Sequence, residues 1–268
     1  MKTVLTIAGS DSIGGAGIQG DIKTISALDC YAMSVITALT AQNTVGVDSI
    51  FEISGNFVKA QMKSVFSDIF PDAVKIGMLG NESIINAVSG ALEDYKAVNV
   101  VTDPVMVSTS GKPLLSKAGK NVLTKRLFPL SDLITPNIPE AEILTGIKIT
   151  SRKDMEKAAK SLFDMCRGCV LLKGGHMSGS AADLLFDGNL FTWFESERII
   201  SSNTHGTGCT LSSAIAVFLA QGLSMKHSVS ESKKYISGAI ADGLDLGHGN
   251  GPLNHFYKTN KKGVINEL

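Results

Sequence analysis

The sequence has no surplus of either charge. Lys and Arg number 25, Asp and Glu number 25, and the formal net charge is zero over 268 residues. Binders of nucleic acid or anionic membranes usually present a basic patch, so this balance points to a small-molecule partner, with no nucleic acid and no membrane. Cysteine is scarce as well. Cys30, Cys166, Cys169 and Cys209 are too few and too scattered for a disulfide framework. Cys166 and Cys169 match C-x-x-C, but no second such pair and no nearby His pair completes a zinc site. They bracket a helix end and a strand start, not the head of a helix as a thioredoxin-like motif would, and read as reduced thiols. No stretch reaches the ~18–20 uninterrupted apolar residues of a membrane helix. The first apolar run is too short for a signal peptide, and Asp11 follows it too soon. The expectation is a soluble, cytoplasmic protein. No repeat, low-complexity tract or Pro/Ser-rich linker divides the chain, which reads as one domain over 1–257 with a polar tail over 258–268.

Apolar sequence is plentiful, at 44% against 19% charged, enough for a sizeable buried core. Short apolar runs around Val4 to Ala8, Tyr31 to Leu39, Ala73 to Ile76, Asn99 to Thr102, Leu133 to Thr135 and Val170 to Leu172 read as strands. Segments of helical spacing alternate with them, one of them opened by Ser151 and Asp154 as a capping pair. Residues 183–200 alternate as a small antiparallel segment of three strands, the third at Glu197 to Ile199. A long helix is expected near Val229 to Leu246. Alternation with short connections predicts an α/β fold with a mainly parallel central sheet and helices on both faces.

Two glycine-rich stretches stand out. Gly14-Gly15-Ala16-Gly17 follows the first strand, but its spacing is wrong for a dinucleotide fingerprint and no acidic residue closes a second strand. The second, Thr204-His205-Gly206-Thr207-Gly208-Cys209-Thr210, feeds an apolar helix. A glycine-rich turn at a helix N-terminus offers unpaired N–H groups at the positive end of the dipole, which suits phosphate. Read alone, it could equally start a tightly packed helix. Cys209 falls in the first turn, where the same field is expected to lower a thiol pKa.

Ligands of open parallel sheets bind beyond the carboxyl ends of the strands. Asp11, Gln42, Met78, Asp103, Asn137, Glu140, Lys173 and the Gly206–Cys209 loop each follow a predicted strand or open the next helix. Individually, Asn137 and Asp103 also fit as helix caps, Lys173 as a solvated lysine and Gln42 as a turn residue. Their shared edge suggests phosphoryl transfer, which needs N–H donors, a cation such as Lys173 and a magnesium ion. The Asn-x-x-Glu spacing sets Asn137 and Glu140 on one face of a helix start, suited to hydrated Mg²⁺. Cys209 and His205 are the loop's ionisable side chains, and the attacking hydroxyl needs a base there.

The motifs Ile7-Ala8-Gly9-Ser10-Asp11, Asn137-Ile138-Pro139-Glu140, Lys173-Gly174-Gly175-His176 and Gly206-Thr207-Gly208-Cys209-Thr210 resemble the ribokinase superfamily. More narrowly they resemble its hydroxymethylpyrimidine/phosphomethylpyrimidine kinases, from about Thr3 to Phe256. The resemblance implies a single-domain ribokinase-like fold, ATP and Mg²⁺, and phosphorylation of 4-amino-5-hydroxymethyl-2-methylpyrimidine and then its monophosphate. It implies that Asp21 and Gln42 hydrogen-bond the aminopyrimidine while Met78 and Val105 pack on its ring. Lys173, Asn137 and Thr207 would bind ATP, Asp103 and Glu140 would lie near Mg²⁺, and Gly206, Gly208 and Cys209 would form the anion hole. Cys209 stands where most of the superfamily has a catalytic Asp. A homodimer is also implied. Pyridoxal kinase is the nearest rival; the subset sharing the cysteine adds a second one in a flap, and Met106 to Pro113 has none.

Overall fold

The computed structural model describes residues 1–107, 114–175 and 181–260. Its frame is a nine-stranded sheet in the order β3-β2-β1-β4-β5-β6-β7-β8-β9. Six strands run parallel: β1 (Thr3–Asp11), β2 (Tyr31–Gln42), β4 (Ala73–Ile76), β5 (Val100–Thr102), β6 (Leu133–Ile134) and β7 (Cys169–Leu172). β3 (Val47–Glu52) pairs antiparallel with β2 at one edge, and β8 (Ala181–Phe186) and β9 (Phe191–Ser196) add an antiparallel ribbon at the other.

The central strands are apolar on both faces because helices cover both. Leu5, Ile7, Val74, Ile76 and Val100 join one core with α2 (Gly55–Phe66), α3 (Glu82–Tyr95), α5 (Ile138–Thr145) and α6 (Arg152–Cys166). Val4, Ala73, Val101, Leu133 and Leu171 join the other with α1 (Gly17–Ala27), α7 (Thr207–Ala220) and α8 (Met225–Ala241). The period of two along each strand makes this division, and each fully buried Val, Leu or Ile contributes ~1.5–3 kcal/mol of transfer free energy. It also places Thr6 and Lys75 on the α1/α7 face, among the second core. α7 is buried nearly all round, from Thr210 to Ala220, so its N-terminus is fixed to the sheet edge. α4 (Lys117–Val122) continues as a π-helical turn, Leu123–Leu127, and a 3-10 turn, Phe128–Leu130. A short turn, α9 (Tyr257–Asn260), ends the described chain. Among the described residues no helix is long and apolar enough to cross a membrane.

Several sequence expectations need correction. β1 runs on to Asp11, across a register shift at Gly9, so Asp11 lies within the strand. β2 continues to Gln42 and folds back as β3, a ribbon whose half-exposed, polar alternation hid it. Glu197 to Ile199 forms no strand, since β9 ends at Ser196. The last long helix is Met225–Ala241, not a helix to Leu246. Asn203 explains the early stop: its amide donates to Asp245 Oδ1 at 2.7 Å and accepts from Asp245 N at 3.1 Å, drawing the chain out of the helix. Residues 108–113 of the expected flap, His176 and residues 261–268 of the tail lie outside the described residues.

Candidate active site

The carboxyl ends of β1, β4, β5, β6 and β7 lie side by side. Asp11 ends β1, Met78 follows β4, Asp103 follows β5, Asn137 follows β6 and Lys173 follows β7. A parallel bridge between Asn137 and Lys173, with Lys173 N donating to Pro136 O at 2.8 Å, extends the ladder and makes these two residues neighbours.

The N-terminus of α7 meets this edge. Ser or Asn side chains cap α2 to α6 and α8, whereas the cap of α7 is Gly206 at φ 85°, with no side-chain cap. The N–H groups of Gly208 and Cys209 therefore lack an intrahelical acceptor. A Cβ on Gly206 would come 1.9 Å from Gly15 O, so the loop rests on the Gly14–Ala16 turn. One on Gly208 would lie 3.3 Å from Lys173 Nζ and 3.5 Å from Asp103 Oδ2, which brings loop, cation and carboxylate together. The Thr207 hydroxyl is engaged, donating to Thr204 O at 2.7 Å.

Lys173 Nζ lies 2.7 Å from Asp103 Oδ1, which also accepts from Thr135 Oγ1 at 3.0 Å. Burial disfavours the ammonium, but Asp103 and then Glu140 more than offset it and hold the Lys173 pKa above its ordinary value. Asn137 and Glu140 form a reciprocal capping box: Asn137 Oδ1 accepts from Glu140 N, and Glu140 Oε2 from Asn137 N, each at 2.9 Å. The cap reading of Asn137 thus holds beside any ligand role. Glu140 is 5% exposed. Burial pushes its pKa up to about 7, against Lys173 and with Asp103 reinforcing. Among the described residues no three His, Cys, Asp or Glu side chains converge as a metal cage. Asp103 and Glu140 fit a hard cation that keeps most of its water and takes one or two carboxylates.

Asp21 requires correction. It is fully buried, and its two oxygens accept from Lys75 Nζ at 2.9 and 2.8 Å, from Ser213 Oγ at 2.7 Å and from Thr6 Oγ1 at 2.5 Å. Both oxygens are engaged within the protein, where the carboxylate neutralises Lys75. Cys209 lies above this cluster, one helical turn before Ser213. Burial raises its thiol pKa above the ordinary 9.0, with the Lys75 ammonium opposing, contrary to the lowering expected from the helix terminus. Lys75 was not among the residues expected at the site. Its one signal is a lone charge in the apolar run Ala73–Ile76.

Met78 and Val105 are half-buried. A Cβ on Gly9 would lie 3.3 Å from Met78 Sδ. Gln42 reaches His205 Nε2 at 3.3 Å, and that nitrogen lies 2.8 Å from Asp11 Oδ2. A cavity of about 580 Å³ beside the β2–β3 ribbon also includes Gln42 and Ser12 in its wall. The Cys166 and Cys169 thiols are free and pushed up to about 11, chiefly by burial.

Uncapped helix N–H groups, an ammonium and buried carboxylates at one sheet edge suit phosphoryl transfer, in which positioning and charge stabilisation carry most of the catalysis. The fold is that of ribokinase-like small-molecule kinases. The chain belongs to the phosphomethylpyrimidine kinase family, which matches residues 11–254. It is 48% identical over 257 residues to the hydroxymethylpyrimidine/phosphomethylpyrimidine kinase of Escherichia coli, covering 94% of this chain and 97% of the relative. Identity is 51% over 254 residues to the thiamine biosynthesis bifunctional protein ThiED of Geobacter sulfurreducens, with 94% of this chain covered. The chain spans about half, 52%, of that longer relative. The crystal structure of phosphomethylpyrimidine kinase from Clostridium difficile superposes with a TM-score of 0.81 at 47% identity, covering 90% of this chain and all of that one. Pyridoxal kinase from Staphylococcus aureus, in complex with AMP-PCP and pyridoxal, superposes at 0.88 but is 35% identical, covering 96% and 94% of the two chains. The protein is accordingly a phosphotransferase.

Proposed function

We propose that this kinase transfers the γ-phosphoryl group of ATP to the hydroxymethyl oxygen of 4-amino-5-hydroxymethyl-2-methylpyrimidine, and then a second phosphoryl group to the monophosphate. The observation that carries it is the meeting of Gly208, Lys173 and Asp103 at one point of the sheet edge, in a chain of this family. ATP as donor is supported by the AMP-PCP complex of a structural neighbour.

The residues divide the work as follows. Gln42 hydrogen-bonds the aminopyrimidine edge, and Met78 and Val105 pack on the ring. Backbone N–H groups of Gly206 to Cys209 donate to the phosphoryl oxygens, and Lys173 neutralises charge developing toward the leaving group. Asn137 and Thr207 line the donor side. Asp103 and Glu140 would hold a hydrated Mg²⁺, which when bound would supply charge neutralisation for the donor phosphates. Cys209 takes the hydroxyl proton as the substrate oxygen bonds to phosphorus and the bond to ADP breaks. Its raised pKa makes the thiolate scarce but a stronger base, and the ammonium groups of Lys75 and Lys173 favour the anion.

The site operates in a cytoplasmic homodimer in this reading. Leu39 at 44% and Phe51 at 67% exposure on the β2–β3 ribbon support a second copy as their cover, which sedimentation of wild type and Phe51→Asp tests. The activity is tested by ADP formation with a panel of hydroxymethyl heterocycles, pyridoxine included. We expect turnover with the pyrimidine and then with its monophosphate; ADP release with none of the panel would refute the kinase assignment to this substrate class.

A further inference from the structure

His205 is a buried titratable residue that the mechanism above leaves without a task. Its backbone is pinned, with its N–H donating to Gly251 O at 3.1 Å and a parallel bridge to Pro252. Its ring abuts the first glycine-rich turn, where a Cβ on Gly15 would come 2.5 Å from His205 Cδ2. One ring nitrogen, Nε2, faces two partners: Asp11 Oδ2 at 2.8 Å and the Gln42 amide at 3.3 Å.

Hydrogen-bond arithmetic decides what each atom must be. Asp11 acts as an acceptor at both oxygens, Oδ1 from Ile13 N at 3.1 Å and Oδ2 from Gly15 N at 3.1 Å and Ala16 N at 2.8 Å. The carboxyl pKa is held below its ordinary value, because the His205 bond and these N–H groups outweigh burial. An ionised carboxylate only accepts, so His205 Nε2 carries a proton, whether or not the other ring nitrogen does. The Gln42 atom facing that proton must then be an acceptor. The two ends of an amide are nearly isosteric, and only the network tells them apart.

The other end of the amide gives an independent answer. It lies 3.3 Å from Thr40 Oγ1, whose single proton is committed to Ser10 O at 2.9 Å. Thr40 therefore has only a lone pair to offer, and its neighbour must be a donor. With nitrogen toward His205 and oxygen toward Thr40, both contacts are mismatched. With Oε1 toward His205 and Nε2 toward Thr40, both are satisfied. Gln42 is half-buried, so one N–H and one lone pair on its distal edge remain for a ligand, in a set order.

We infer that His205 is a positioning residue that locks the Gln42 amide with Oε1 on the Asp11 side and Nε2 on the Thr40 side, and thereby selects heterocycles bearing a ring acceptor beside an exocyclic donor. A 4-aminopyrimidine has that edge. Its 4-oxo counterpart, with a ring N–H beside a carbonyl, has the reverse and would leave buried polar groups unpaired. This rests on Gln42 being the pyrimidine-recognising residue of the proposed function.

The test has two arms. In the ligand-free wild-type protein, long-range ¹H–¹⁵N correlation is expected to show the His205 proton on Nε2; a bare Nε2 with the proton on Nδ1 overturns the inference whatever the enzyme phosphorylates. The kinetic arm compares kcat/KM for the 4-amino and 4-oxo hydroxymethylpyrimidines. The wild-type preference for the amino compound is expected to shrink ~10-fold or more in His205→Ala, in line with a site that discriminates by hydrogen bonding. His205→Gln, whose amide can still donate, should keep it within about threefold. Gly15→Ala, which displaces the ring without removing it, should behave like His205→Ala and covers the case in which that variant does not fold. Equal losses on both substrates, with the ratio unchanged, would mean a merely structural histidine. Wild type that phosphorylates neither compound defeats the proposed function instead, and the tautomer measurement still stands on its own.

Discussion

Asp21 Oδ2 and Lys75 Nζ lie 2.8 Å apart with neither side chain exposed to solvent. Breaking a buried pair by removing one partner leaves an uncompensated charge and typically costs ~3–5 kcal/mol. Lys75→Met should destabilise the protein by about that much in urea denaturation. Adding Asp21→Asn to it should restore at least half, since no buried charge is then left alone. A single variant with wild-type stability would disprove the compensation.

Cys209 is the group from which the proton-transfer role can be removed most directly. Cys209→Ala should lower kcat by about 10²–10⁴-fold, the usual contribution of a general base, with little effect on the KM for ATP. Because burial raises the thiol pKa, wild-type kcat should climb from neutral into alkaline pH, and Cys209→Ser should flatten that limb. An unchanged kcat would eliminate the base role.

Gly208 tests whether the loop and Lys173 act together. A methyl group there would crowd Lys173 Nζ at 3.3 Å and shift it or the bound phosphate. Gly208→Ala should reduce kcat/KM for ATP by roughly 10–100-fold, the scale of an ångström-level misplacement. The change is local, so Tm should move by no more than about 3 °C, under ~1 kcal/mol for a chain of this size.

Glu140 predicts a pH dependence of stability. Its carboxyl, ordinarily at 4.5, is raised to about 7 in the folded protein, so the folded state holds the proton more tightly than the unfolded chain. The resulting stabilisation is complete below pH 4.5 and lost as pH rises through 7, roughly 3 kcal/mol at most. Denaturation at pH 4.5 and 8 should show wild type losing more stability than Glu140→Gln. Parallel curves for the two proteins would contradict the raised value.

Gln42→Ala should raise the pyrimidine KM about tenfold or more while the KM for ATP stays put, since the lost hydrogen bonds belong to one substrate. Initial-rate kinetics with each substrate varied separately reads this. A matching rise in the KM for ATP would assign Gln42 to the donor side.

Much of this molecule is legible in one dimension. Apolar runs punctuated by glycine and proline mark β1, β4 and β7, and Ser151 with Asp154 marks the start of α6, where Ser151 Oγ indeed accepts from Asp154 N. The sheet edge that collects Asp103, Asn137, Lys173 and Gly206–Cys209 was also predictable, because parallel strands must end on the same side. These features are local or topological, and composition and period suffice for them.

Contacts between residues far apart in sequence were not predictable in this way. Asp21 sits on the polar side of a sequence pattern, yet Lys75, 54 residues later, donates to both its oxygens in the buried interior. Cys209 stands at a helix start whose field should lower its pKa, yet desolvation by the surrounding fold outweighs that effect. His205 and Asp11, 194 residues apart, meet only because α7 is docked against β1 and α1. Composition, periodicity and motif order suffice for the fold class, the chemistry available and the edge at which it gathers. Which carboxylate pairs with Lys173 at the sheet edge and which with the buried Lys75 follows only from the folded chain, because burial and pairing are properties of neighbours in space.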